Sequence, residues 1–139
     1  MPAHRTVTKV CETCGGRVRV NSAKYCSMEC YRTGDAKRRR SVIEQWLSGD
    51  VSVVTTSQGE LSYAARQYLR SEAENKCSRC GWGEANPVDG VVPVQIDHVD
   101  GNPHNHLREN LVVLCPNCHS LTPTYGMKNR GNGRKTRHV

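Results

Sequence analysis

Eight cysteines in four close pairs constrain this 139-residue chain more than any other feature. Cys11 and Cys14 are followed by Cys26 and Cys30, and Cys77 and Cys80 by Cys115 and Cys118. Two pairs supply four thiolates, the tetrahedral set that a structural zinc requires. The spacing predicts two such sites. The competing reading is a secreted disulfide scaffold, since an even cysteine count in a small chain is compatible with one. Against it, the start MPAHRTVTKV has no apolar signal core, and no run approaches the ~20 apolar residues that span a membrane. Neighbouring Cys-x-x-Cys pairs also suit one metal ion better than a tight two-residue loop suits a disulfide. A reducing compartment, the cytoplasm, is expected.

Staples are needed here. Hydrophobic residues make up 36% of the chain, Phe is absent, and the aromatic set is two Trp and five Tyr. Such a chain builds no large core, and small cores lean on metals or disulfides.

Charge is segregated along the chain. The formal net charge is +7. Residues 1–40 hold ten Lys/Arg against three acids, and residues 127–139 hold five against none, while the middle has five against ten. Two basic ends around an acidic middle suggest arms that grip a phosphate backbone. Solvated tails are the plainer alternative.

In the first cysteine module, Gly15-Gly16 makes a turn and Arg17-Val18-Arg19-Val20 alternates with strand period. A zinc ribbon or finger follows, with Cys26 and Cys30 at the start of a short helix. It is either a structural knob or a DNA contact made through Arg17 and Arg19. The run Lys37-Arg38-Arg39-Arg40 precedes apolar residues at 42, 43, 46 and 47, whose spacing is helical. That run presents either cations to phosphate or a solvated face. Residues 48–60 read as a polar loop. A second helix is expected over 61–76, with Arg66 and Arg70 on one face.

The chemistry concentrates between Cys77 and His119. Val91 to Ile96 reads as a strand leading into Asp97-His98, and Asp100-Gly101-Asn102-Pro103 as a turn. Leu111 to Leu114 follows Asn110 as a second strand. Cys115-Pro116-Asn117-Cys118-His119 then turns into a helix reaching about Thr122, with His119 at its start. In a regular strand Asp97 and His98 point to opposite faces, so they serve one centre only if the strand ends or bulges there. His119 has two plainer readings, a zinc ligand in place of a cysteine or a helix cap.

The runs Ile96-Asp97-His98-Val99-Asp100-Gly101-Asn102, Glu109-Asn110-Leu111 and Leu114-Cys115-Pro116-Asn117-Cys118-His119 closely resemble the HNH endonucleases. Members of that family are phage-encoded, homing and restriction nucleases built on a ββα-metal finger. The resemblance covers roughly residues 76–130. It implies a small zinc-stabilised α+β fold in three parts: a zinc ribbon or finger over 1–35, a basic run and two-helix connector over 36–75, and a nuclease module with a basic tail over 76–139. It implies His98 as general base, Asn110 as the residue that holds the loop and orients that base, and Asp97 and His119 as ligands of a catalytic divalent cation (Mg²⁺, Mn²⁺, Ni²⁺ or Zn²⁺). The two zincs would be structural.

DNA is the expected partner, in the cytoplasm of a host cell if the chain is phage-encoded, with other phage proteins as further partners and no membrane. Lys128, Arg130, Arg134 and Lys135 would clamp phosphates, with Arg137 beside them. Family members often have Asn where this chain has His106; His104 and His106 read as loop residues, with an additional metal or phosphate contact as the alternative for His106. Asn129 is a candidate further ligand. Two rivals stand: a non-catalytic zinc-finger DNA-binding or phage packaging accessory protein, and a nuclease directed at RNA.

Overall fold

A computed structural model describes residues 9–18 and 23–128. Arg19, Asn129, Arg130, Arg134, Lys135 and Arg137, all singled out above, lie outside the described residues. The chain divides into two compact units, Met1–Ser41 and Val42–Val139, and helix α1 (Met28–Leu47) runs through the division.

The first unit is organised by one knuckle. The Cys11 amide donates to the Gly16 carbonyl at 2.7 Å, and the Gly15 amide to the Cys11 carbonyl at 2.9 Å. Gly15 takes φ +72°, the left-handed region that only glycine enters freely. The flanking residues meet in a single antiparallel bridge, Val10 to Arg17, with the Val18 amide on the Lys9 carbonyl at 3.1 Å. After Cys26, the Ser27 hydroxyl accepts from the Cys30 amide at 3.1 Å, a capping contact that starts α1.

Two expected helices, one after Cys26 and one around Trp46, form a single 20-residue helix. Gly34 lies inside it, where glycine ordinarily costs about 1 kcal/mol relative to alanine. A Cβ there would stand 2.7 Å from Thr13 Oγ1 and 2.9 Å from Tyr25 Cε1. Glycine is thus what lets α1 lie against the knuckle, and Thr13 Oγ1 donates to the Cys30 carbonyl at 2.8 Å.

In the second unit, Trp46, Val54, Leu61, Ala65, Leu69, Val94, Leu111 and Val113 form the main apolar core. Val54 closes a 3₁₀ turn, Val51–Val54, whose cap is Asp50. Helix α2 (Tyr63–Glu72) starts at Ser62, whose hydroxyl accepts from the Ala65 amide. It is shorter at both ends than the 61–76 expected. Leu61 is held in a bridge with Thr55, and Glu74 and Asn75 take φ +52° and +55°, which ends the helical path before Cys77.

Strand β1 (Gln95–His98) pairs antiparallel with β2 (Leu111–Leu114), Gln95 opposite Leu114 and His98 opposite Leu111. The apolar run from Val91 enters the ladder only at Gln95. Pro93 has no N–H to donate, although Val94 is buried all the same. Helix α3 (Pro116–Ser120) has Cys115 as its cap, the sulfur accepting from the Cys118 amide at 3.4 Å. It stops at Ser120, so His119 lies in its last turn and not at its start.

The pleat gives this two-stranded sheet two distinct faces. Ile96, Leu111 and Val113 point into the main core. Val112 and Leu114 point to a second cluster formed by Cys77, Cys115, Cys118 and Trp82.

Candidate active site

Both cysteine quartets assemble. The sulfurs of Cys11, Cys14, Cys26 and Cys30 lie within 4.8 Å of one another, as do those of Cys77, Cys80, Cys115 and Cys118. All eight are free thiols. Sulfurs ~2.3 Å from a tetrahedral zinc stand about 3.8 Å apart. The observed separations are 3.5 Å for Cys14–Cys26, 3.5 Å for Cys26–Cys30 and 3.7 Å for Cys80–Cys115. The donor set and its spacing fit zinc, and these clusters can hold it.

The crowding polarises the thiols in the same way in both quartets. Burial pushes Cys11 and Cys77 up, but surrounding backbone amides outweigh it and bring each down to about 6. Cys26 is pushed up to about 12 by the sulfurs of Cys30, Cys14 and Cys11. Cys118 reaches about 12 through burial and then through its three sulfur neighbours. A cation at the centre reverses that penalty, because a bound thiol is deprotonated outright.

The four residues of the expected active site fall into two groups. On the α3 side of the sheet, Asp97 Oδ1 lies 3.4 Å from His119 Nε2. Two ligand atoms bonded to one ion at ~2.0–2.2 Å stand about 3–3.5 Å apart, so this carboxylate and imidazole fit a shared cation. Their side chains are 15% and 23% exposed, which leaves an opening for water or substrate. Tyr125 stacks edge-on against His119, ring centres 5.1 Å apart.

On the core side of the sheet, His98 points away from that pair. Its Nε2 lies 3.2 Å from Nδ1 of His106. Burial holds its pKa below the usual imidazole value, and the neighbouring His106 adds to this against the pull of Asp100 and Asp97. That shift favours the uncharged ring, the state a proton acceptor needs. The ladder register is unbroken through Asp97 and His98, and a turn begins at Val99. The strand ends here without a bulge.

Asn110 is a hub. Its Nδ2 donates to Asp100 Oδ1 and to the Asn105 carbonyl, both at 2.9 Å, and its Oδ1 accepts from the Asp100 amide at 3.0 Å. Its own carbonyl accepts from the Val99 amide at 2.9 Å, next to His98. Both ends of the 99–110 loop are tied through this one buried side chain.

Three residues that the sequence named were not placed beside His98 by it. Arg66 and Arg70 of α2 line the same cleft as His98, together with Gln95, Pro103 and His106. Arg70 donates to the Val94 carbonyl at 3.0 Å, and Arg66 pairs with Glu60 at 3.7 Å. Their i, i+4 spacing was the available signal, but which way the helix faced was not. The third is His106, 1% exposed where a loop residue was expected.

The described basic residues of the first unit are exposed. Arg17 sits in the bridge beside the knuckle. Arg38 and Arg39 pair with Asp35, at 3.6 Å and 2.5 Å, and Arg38 also donates to the Tyr25 hydroxyl. Exposed helical pairs of this kind contribute about 0.3–0.5 kcal/mol, so a phosphate can displace them. Lys37 lines a cleft with Glu12, Thr13 and Tyr25, and Arg40 is exposed on α1. Lys128 is exposed at the end of the described chain.

The class this geometry defines is a small α+β protein with two sulfur clusters and a carboxylate–imidazole pair beside a strand-end histidine. Its likeness to phage-type HNH endonucleases, first read from the motifs, is borne out by a curated relative. The chain is 40% identical over 75 residues to the H-N-H endonuclease F-TflIV of Escherichia phage T5, a match covering 50% of this chain and 31% of that protein. The chain thus spans about a third of the relative's length. No family model matches, and no solved structure matches. Among the described residues no helix is long and apolar enough to cross a membrane.

Proposed function

We propose that this protein is a metal-dependent endonuclease of HNH type that hydrolyses phosphodiester bonds in DNA. It adopts a ββα-metal module held by zinc on Cys77, Cys80, Cys115 and Cys118, with a second structural zinc on Cys11, Cys14, Cys26 and Cys30. The observation that carries this reading is the Asp97–His119 pair at 3.4 Å, one residue from a half-buried His98 at the strand end.

Asp97 and His119 would hold the divalent ion, which would supply Lewis-acid polarisation of the scissile phosphate and charge stabilisation for the leaving 3′ oxygen. His98 takes the proton of the attacking water. The resulting hydroxide forms the new bond to phosphorus as the bond to the 3′ oxygen breaks, and that oxygen takes a proton from a second water, leaving 5′-phosphate and 3′-hydroxyl ends. Asn110 fixes the turn that carries His98. Arg66 and Arg70 supply positive charge along the cleft. Arg17, the Lys37–Arg40 run and Lys128 hold the flanking backbone, which positions DNA without reading its sequence.

The placement of His98 and His119 on opposite faces favours one rival, a zinc-held DNA-binding protein without hydrolysis. A plasmid-cleavage assay with Mg²⁺, Mn²⁺ or Ni²⁺, run beside a gel shift, separates the two. Cleavage by wild type that falls about 10²–10⁴-fold in His98→Ala, the usual reach of a general base, supports the nuclease. A gel shift without cleavage under any of the three metals supports the rival. An RNA panel in the same assay tests the polymer.

A further inference from the structure

His106 is buried to 1%, and both of its ring nitrogens are engaged. Nε2 lies 3.1 Å from the Gly59 carbonyl oxygen, and Nδ1 lies 3.2 Å from His98 Nε2. A carbonyl oxygen only accepts, so Nε2 of His106 carries a hydrogen. In a neutral imidazole one nitrogen donates and the other accepts. A carbonyl at one nitrogen and a second imidazole at the other match a ring that donates once and accepts once. Nδ1 of His106 is then an acceptor, and the hydrogen in the contact with His98 belongs to His98 Nε2. The lone pair of His98 is left on Nδ1.

We propose that His106 is a positioning residue: the Gly59 carbonyl fixes its Nδ1 as an acceptor, and that acceptor holds His98 as the Nε2–H tautomer, so that Nδ1 of His98 is the proton-accepting atom. The proposal rests on the nuclease reading for the use of that lone pair, although the tautomer itself does not depend on it.

The relay is built into the fold from three sides. The Gly59 carbonyl also takes the Nδ1 hydrogen of His104, at 3.2 Å, so its two lone pairs face two imidazoles. Gly59 holds φ +74° in a turn closed by its own amide on the Thr56 carbonyl, and a Cβ there would stand 3.1 Å from His104 Nδ1. The backbone of His106 is anchored separately, its carbonyl accepting from Trp46 Nε1 at 2.7 Å. The His98 and His106 rings are 5.3 Å apart and tilted by 46°, a geometry set by the hydrogen bond and not by stacking. During hydrolysis the proton from water lands on His98 Nδ1, and the hydrogen already on Nε2 stays shared with His106.

Two substitutions split the relay. In His106→Asn the amide oxygen takes the place of Nδ1 and still accepts from His98, while the donor to Gly59 is lost. In His106→Gln the amide nitrogen takes the place of Nε2 and still donates to Gly59, while the acceptor for His98 is lost. The measurement is the ¹⁵N tautomer signature of His98 in zinc-loaded protein without DNA, together with kcat and KM for Mn²⁺-dependent plasmid cleavage.

The expected result has His98 as the Nε2–H tautomer in wild type and His106→Asn, and as a mixture in His106→Gln. In His106→Gln kcat falls about 10²-fold while KM stays within about twofold of wild type, and His106→Asn retains most of its kcat. An Nδ1–H tautomer in wild type overturns the proposal, as does a His106→Gln variant with undiminished kcat. A wild type that cuts nothing overturns the nuclease reading alone, because the tautomer signature still decides the relay. If His106→Gln fails to fold, the wild-type signature decides it as well.

Discussion

The two cysteine quartets share one turn and differ in everything around it. In both, the first cysteine amide donates to the carbonyl five residues on, and the glycine after the second cysteine donates back to the first cysteine carbonyl. Gly15 and Gly81 take nearly the same φ, +72° and +75°. The closing pairs diverge. Cys26 and Cys30 are four apart at the start of a long exposed helix, whereas Cys115 and Cys118 are three apart across the cap of α3. Cys14 and Cys26 are exposed, but Cys77, Cys115 and Cys118 are buried against Leu114, Trp82 and Val112. A knuckle is a local solution that any context accepts. Whether it also carries a core depends on what the second pair is attached to. The second quartet is attached to the strand and helix that hold Asp97 and His119, and the first to a basic helix.

That contrast is broken or sharpened by graded experiments. The largest effect is expected from Cys115→Ser, which removes one ligand and a buried cap together. Zinc content should fall from two to one per chain, the β1–β2 pairing should melt, and cleavage should vanish. Retention of the native circular-dichroism spectrum would mean that the apolar cluster, and not the metal, holds the sheet. Cys14→Ser should likewise drop zinc to one but leave the second unit folded and cutting, with weaker DNA affinity and a shallower salt dependence. Loss of folding in the second unit would show that the quartets are not independent.

Next comes Trp46→Ala, expected to cost about 3–5 kcal/mol for a fully buried aromatic. Trp46→Phe should cost less, about 1–2 kcal/mol, chiefly from the lost hydrogen bond to His106. Equal melting shifts for the two would deny that bond any weight. The smallest effects belong to Gly15→Ala and Gly81→Ala. Neither position has an atom within 4 Å of an added Cβ, so each substitution carries only the left-handed backbone cost, about 1–2 kcal/mol. Unequal costs, read as zinc affinity by competition with a chelator, would show that the environment reaches into the turn after all.

Much of the site could be read from the chain because its determinants are close in sequence. Each knuckle spans six residues, and its glycine follows directly from the φ the turn demands. The β1–turn–β2–α3 order followed from apolar runs and from Asp100-Gly101, and Asn110 was singled out by its place in the motifs that resemble the HNH endonucleases; the residues it binds lie only five and ten positions away. Other features were not readable. Pro93 delayed the strand until Gln95, and nothing local to Gly34 told of the close packing of α1 on Thr13 that it permits.

The sequence by itself therefore determined the sulfur quartets and the hairpin and helix, and it singled out Asp97, His98, Asn110 and His119 as candidates. Tertiary structure alone decided which of these meet. The pleat gave Asp97 to His119 and turned His98 to the core, where Gly59 and Trp46, 47 and 60 residues before His106, bury that imidazole as its partner. Contacts over such separations leave no periodicity in the chain. They arise when two elements pack, and only there does a loop histidine become the group that sets another residue's proton.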